Sequence, residues 1–175
     1  MNQIIKKVTL VVPAFAMIVS LVGCASFQKQ RAFREYVNEV AKDEMTMQAF
    51  SISTNQLSAE TDYKKFLSGL KTSMGYLDDL IDSAEKRNAN ISDPEIKDMD
   101  DSYVQALKDV KASFKMLYEG IDERDEKKME LGEKQMDSAI NNVKDYATKM
   151  KTFADKYNMG DEDDFAKVEE LLNSL

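Results

Sequence analysis

The chain has 175 residues, 32% of them charged, and its net charge is −8 at neutral pH. An acidic surface argues against nucleic-acid binding, which requires patches of Lys and Arg. The chain has no His, and this excludes His-based general-base catalysis and most zinc and di-iron sites. We therefore expect no catalytic residues and no metal site.

The first 23 residues have the three zones of an export signal. Lys6 and Lys7 give a positive start, and an apolar run follows from Val8 to Val22. This run is short for a membrane span, which needs about 20 residues, and Pro13 within it weakens a long helix. The pattern predicts a cleaved signal peptide over residues 1–23.

The signal ends at the single cysteine of the chain. Leu21, Val22, Gly23 and Cys24 resemble the lipobox of bacterial lipoprotein precursors. The resemblance implies that the Cys24 sulfur receives a diacylglyceryl group through a thioether, and that a signal peptidase cuts between Gly23 and Cys24. Two acyl chains hold a protein firmly on a membrane, whereas one binds only marginally. The alternatives are an uncleaved membrane anchor and a secreted protein with a stray Cys.

A lipid on Cys24 would hold the mature chain on the extracytoplasmic face of a membrane. Ala25 does not resemble the Asp that retains Gram-negative lipoproteins at the inner membrane. The resemblance therefore implies the membrane of a Gram-positive cell or the outer membrane of a Gram-negative one. Lys29, Arg31 and Arg34 follow closely and are candidates for contact with anionic headgroups, at about 1 kcal/mol each. The alternative is a solvated first helical turn or two.

The first predicted helix, helix A, runs from Ser26 to Gln56. Proline is almost absent after the signal, and the residues present favour helix over strand. Asp43 and Glu44 interrupt the apolar side of helix A, so we expect them in an exposed notch or paired with a Lys of a neighbouring helix. That apolar side consists of Phe33, Tyr36, Val37, Val40, Met47 and Phe50.

Three further helices are predicted from apolar residues that alternate in spacing between four and three. Helix B covers 61–87, helix C begins at a capping box at Ser92 with Glu95 three residues later, and helix D covers 125–159. Such spacing is typical of long helices that pack at a shallow angle, as in coiled coils. The predicted seams are Tyr63, Leu67, Leu70, Met74, Leu77, Ile81 and Ala84 in helix B; Tyr103, Leu107, Val110, Phe114, Leu117 and Ile121 in helix C; and Met136, Ile140, Val143, Ala147, Met150, Ala154 and Tyr157 in helix D.

Short connections between long helices favour antiparallel neighbours. We therefore predict an all-α fold, an antiparallel up-down four-helix bundle over 24–160, followed by an acidic turn and a short C-terminal helix over 161–175. The acids at 161–164 lack the spacing of an EF-hand loop and are better interpreted as charges at a helix start than as Ca²⁺ ligands. Met129, Met136 and Met150 indicate a buried stripe rather than a copper(I) site.

Beyond the lipobox, the composition, the helix count and the sharp turn around Gly120, Ile121 and Asp122 resemble those of the small Lys/Glu-rich helical lipoproteins of Gram-positive bacteria, several of which are named only as cell-wall-binding or uncharacterised proteins. The favoured hypothesis is a membrane-anchored, non-catalytic module that binds an envelope protein or a cell-wall component. One alternative is a helical bundle that binds a small ligand or a metal ion, with Asp43, Glu44 and the Met residues as candidate contacts. The other is an enzyme that uses paired carboxylates. Apart from the lipid on Cys24, we expect no cofactor.

Overall fold

The structure is a computed structural model that describes residues 28–157 and residue 159. All regular elements in the described part of the chain are α-helices, which confirms the all-α class. The predicted signal peptide, Gly23, Cys24 and the predicted C-terminal helix over 161–175 lie outside the described residues. The five helices are α1 (Gln28–Ala41), α2 (Glu44–Ala59), α3 (Tyr63–Asn88), α4 (Pro94–Glu123) and α5 (Glu126–Lys156).

Helix A is not continuous, and this corrects the sequence prediction. The chain turns at Lys42 and Asp43, between α1 and α2. The backbone N–H groups of these two residues donate to carbonyls three residues earlier, at 3.3 and 3.0 Å, which tightens the last turn of α1. The physical reason is that the Asp43 side chain is buried, where it accepts hydrogen bonds from α3.

An Asp caps the start of each of α3, α4 and α5 by accepting hydrogen bonds from two backbone N–H groups. At α4 the cap is Asp93, whose Oδ1 lies 3.0 and 3.4 Å from the N atoms of Glu95 and Ile96. The predicted capping box at Ser92 is therefore wrong by one residue. Pro94 explains the shift, because its fixed φ suits the first helical position and leaves the preceding residue as the cap.

Buried apolar residues of all five helices form the core. α2 packs on α3, α3 on α4 and α4 on α5. α1 contacts α5 through the stacked rings of Phe33 and Phe153, whose centroids lie 5.0 Å apart. The predicted seams are buried or half-buried with one exception, Tyr63, which is exposed and donates a hydrogen bond to the carbonyl of Ile121.

Contacts between helix ends define two ends of the molecule. Tyr63 and Ile121 bring the α2–α3 and α4–α5 connections together. At the other end, Lys29 of α1 pairs with Asp93 before α4, and Lys156 of α5 pairs with Glu95. The start of α1, the α3–α4 connection and the end of α5 therefore lie together.

The α4–α5 connection leaves no room for a side chain at Gly120. The N–H of Asp125 donates to the Gly120 carbonyl at 2.7 Å, and Arg124 between them has a left-handed φ of 58°. A Cβ atom added at Gly120 would lie 2.8 Å from the backbone N of Met129 and 3.0 Å from the carbonyl oxygen of Asp125. Backbone atoms held in a tight connection cannot move aside as a flexible side chain does.

Alanine at two helical glycines should therefore have opposite effects. Gly120→Ala should lower the free energy of unfolding by about 1–3 kcal/mol, because it overpacks this connection. Gly75→Ala is the matched control: the position is exposed in α3 and no atom lies within 4 Å of the added Cβ. It should raise the free energy by about 0.5–1 kcal/mol through helix propensity. Urea unfolding of both variants checks this, and equal effects would contradict it.

Candidate functional site

A buried arginine joins three segments of the chain. Arg87 lies in the last turn of α3, and its Nη1 is 3.0 Å from Oδ2 of Asp43 at the α1–α2 break. Its Nε and Nη2 lie 3.0 and 2.8 Å from Oδ1 of Asp100 in α4. The side chains of Arg87 and Asp100 are only 6% and 0% exposed. We call Asp43, Arg87 and Asp100 the buried ion cluster.

Aromatic rings surround the guanidinium of the buried ion cluster. Its Cζ lies 5.1 Å from the ring centroid of Tyr103 and 5.7 Å from that of Tyr36, which is within the range of a cation–π attraction. The Tyr36 hydroxyl donates to that of Tyr146 at 3.1 Å. Burial raises the pKa of all three tyrosines well above its usual value, so these hydroxyls stay neutral at physiological pH.

The neighbouring carboxylates stabilise the charged form of Arg87. Burial by itself lowers the pKa of Arg87, but the charge of Asp100, its hydrogen bond and the neighbouring tyrosines together outweigh this effect and raise that pKa. Asp43 also accepts a hydrogen bond from Ser83, at 2.6 Å. The other oxygen of Asp100, Oδ2, is buried and has no hydrogen-bond partner within the described part of the chain. The buried ion cluster thus contains two carboxylates and one guanidinium.

A cleft of about 580 Å³ opens beside the buried ion cluster. It lies between α1, the end of α3 and the start of α4, and Tyr36, Ser83 and Arg87 belong to its lining. This volume is within the range of small-molecule sites, about 300–1,000 Å³. The charged side chains that line the cleft are three acids and three bases, namely Glu35, Glu39, Asp93, Lys42, Lys86 and Arg87.

Lys29 and Arg31, near the predicted anchor, pair with acids of the chain. Lys29 Nζ lies 2.5 Å from Asp93 Oδ2, and this hydrogen bond raises the pKa of Lys29. Arg31 forms an exposed pair with Glu35 at 2.8 Å. Arg34 is half-buried. The structure therefore uses Lys29 to join α1 to the start of α4, and contact of these residues with headgroups stays a prediction.

The sequence indicated that Asp43 is unusual, but it did not indicate which residues bind it. Asp43 is buried rather than in an exposed notch, and it pairs with an arginine rather than a lysine. Asp100 continues the helix C seam, four residues after Ile96 and three before Tyr103. A carboxylate at a seam position was the signal that would have placed Asp100 in the core.

The methionines and acids give no metal site among the described residues. Met136 and Met150 are buried in the core, as predicted for a packing stripe. Glu44 is exposed at the start of α2, beside but outside the buried ion cluster. No group of three or more His, Cys, Asp and Glu side chains in the described part of the chain is arranged to hold a metal ion.

Comparisons with family models, curated proteins and solved structures found no match to this chain. Of the five described helices, none has an apolar stretch long enough to cross a membrane.

Loss of the buried Arg87 guanidinium should destabilise the fold more than loss of an exposed guanidinium. Arg87→Ala should lower the free energy of unfolding by about 3–5 kcal/mol, because it leaves two buried carboxylates without their cation. Arg31→Ala, the control, breaks an exposed pair and should cost no more than about 1 kcal/mol. Guanidinium chloride unfolding measures both.

A second variant separates lost packing from unpaired charge. Arg87→Met combined with Asp43→Asn and Asp100→Asn removes all three charges, and it should recover part of the stability lost in Arg87→Ala. Equal costs for Arg87→Ala and Arg31→Ala would contradict the assignment of the buried ion cluster as the junction of these segments.

Proposed function

We propose that this protein is a lipid-anchored, extracytoplasmic lipoprotein that acts as a non-catalytic binding module of the cell envelope. The lipobox-like sequence at 21–24, which a helix follows closely, supports the lipid anchor. Three residues separate Cys24 from Gln28, where α1 begins. So short a connection would keep the helices close to the membrane surface.

We also propose that the helices form an antiparallel up-down bundle, in which α1 and α2 together make the first of four rods. The packing of consecutive long helices through short connections supports this arrangement. The contacts of α1 with α5, such as Phe33 with Phe153, support closure of the bundle.

The proposed binding site is the cleft. It is built on α1, the helix that follows the predicted lipidation site, and on the α3–α4 connection at the same end of the molecule. A partner in this cleft would therefore lie near the membrane. The buried ion cluster supports a preformed site, because it fixes the α1–α2 break to α3 and α4 beside the cleft.

The cleft favours a partner that carries both signs of charge. Its acids and bases are equal in number, and five of the six already form ion pairs within the chain, for example Glu39 with Lys42. A segment of an envelope protein or a peptide of the cell wall has this mixed chemistry. The absence of His from the sequence supports binding rather than catalysis.

A second candidate function is the binding of a small ligand in the same cleft. The observation in its favour is the volume of about 580 Å³, bordered by the rigidly held Arg87. A ligand that binds only the folded state would raise its stability by mass action, whereas a protein partner would be captured by cross-linking.

Site-specific cross-linking in the native membrane tests the proposal. A photoreactive amino acid at Asn90, an exposed residue of the cleft lining, should capture one reproducible partner from the envelope. The same amino acid at Lys134, exposed on α5, should not capture it. Ala32→Trp, which places a large side chain in the cleft lining, should abolish the product from Asn90 while the protein remains folded by circular dichroism.

The outcomes separate the two functions. Identical products from Asn90 and Lys134, or a product that persists in Ala32→Trp, would contradict a binding site in the cleft. No protein product from Asn90, together with a higher Tm on addition of soluble wall peptides, would favour the small-ligand function.

A further inference from the structure

The outward face of α2 differs in charge from the other described helices. No Asp, Glu, Lys or Arg occurs from 45 to 59, although 32% of the chain is charged. Two large apolar side chains on this face are in solvent, Met45 at 83% and Ile52 at 60% exposed. Solvated faces of helices normally carry charged side chains, so this face has the composition of a contact surface.

Exposed residues on α2 form a second seam opposite the buried one. The inner seam of Met47, Phe50, Thr54 and Leu57 packs into the core. The outer residues are spaced three, four, three and four, which keeps them along one line of the helix. They are all exposed, and we call them the outer seam of α2: Met45, Gln48, Ile52, Asn55 and Ala59.

The charge of the molecule favours a second copy of this chain as the occupant of the outer seam. Loss of Lys6 and Lys7 with the predicted signal peptide takes the net charge from −8 to −10, so two copies repel each other where their acidic surfaces meet. Contact along the outer seam brings no formal charges together between Glu44 and Glu60. A basic partner, in contrast, would be attracted to the acidic surfaces rather than to this face.

The proposed anchor favours a parallel pair. Two copies anchored through Cys24 in the same membrane would present their α2 helices in the same direction. This step depends on the anchor of the proposed function.

We propose that the protein forms a parallel homodimer through the outer seam of α2, with Ile52 facing Ile52 of the second copy. A helix of 16 residues is about 24 Å long, so the interface falls at the low end of the size range, below about 1,200 Å². Confinement of both copies to one membrane raises their effective concentration and makes so small an interface sufficient.

Disulfide cross-linking of the full-length protein in its native membranes tests the dimer. Ile52→Cys should give a dimer of two identical chains after mild oxidation with copper phenanthroline. The control is Leu131→Cys, which also replaces an exposed apolar residue, 52% exposed, but on α5. We expect the dimer yield of Ile52→Cys to exceed that of Leu131→Cys, and that of the parent chain with Cys24 alone, by about tenfold or more.

Three results would overturn the inference. The first is a yield from Ile52→Cys no higher than from Leu131→Cys. The second is a higher dimer yield from mixed Met45→Cys and Ala59→Cys chains than from Met45→Cys chains alone, because these two positions, each seven residues from Ile52, face each other only in an antiparallel pair. The third is a product that joins the thiol introduced by Ile52→Cys to a different protein, as identified by mass spectrometry of the linked peptides.

Fractionation of the same cells separates this inference from the proposed anchor. Protein in the membrane fraction without an Ile52→Cys dimer would overturn the dimer and leave the anchor in place. Protein in the soluble fraction would overturn the anchor, and with it the parallel orientation that depends on it.

Discussion

The buried ion cluster is the interaction on which the arrangement of the helices depends most. Arg87 binds Asp43 at the α1–α2 break and Asp100 in α4, so one side chain joins segments that are 44 and 13 residues away along the chain. A buried cation with two carboxylates is costly to desolvate. Hydrogen bonds and the flanking tyrosine rings offset this cost, and they favour one position of α1 and α2 against α3 and α4.

This constraint connects the interior to both surfaces proposed to bind. On one side, Arg87 and Tyr36 extend from the cluster to the lining of the cleft, so the cleft rests on fixed side chains rather than on a loose loop. On the other side, the break at Asp43 begins α2, the helix with an uncharged outward face. A continuous first helix would place the residues after Asp43 at a different rotation about the helix axis.

The long helices and their buried sides were predictable because they depend on a single repeated pattern of apolar residues. Seam residues such as Leu77, Val110 and Val143 are buried because apolar residues spaced four and three lie on one side of a helix. The break at Asp43 was not predictable, since it depends on a partner 44 residues later in the chain. Composition alone does not indicate which cation will reach a buried carboxylate, and the cleft, formed by separate helices, leaves no local pattern.

The intact mass of the protein extracted from its own membranes tests the lipid anchor most directly. The lipid anchor predicts a chain that begins at Cys24, after loss of the 23 residues before it, with a mass increased by at least a diacylglyceryl group. A chain of 175 residues, or one that begins elsewhere with a free thiol, would contradict the lipid anchor and the membrane-proximal position of the cleft.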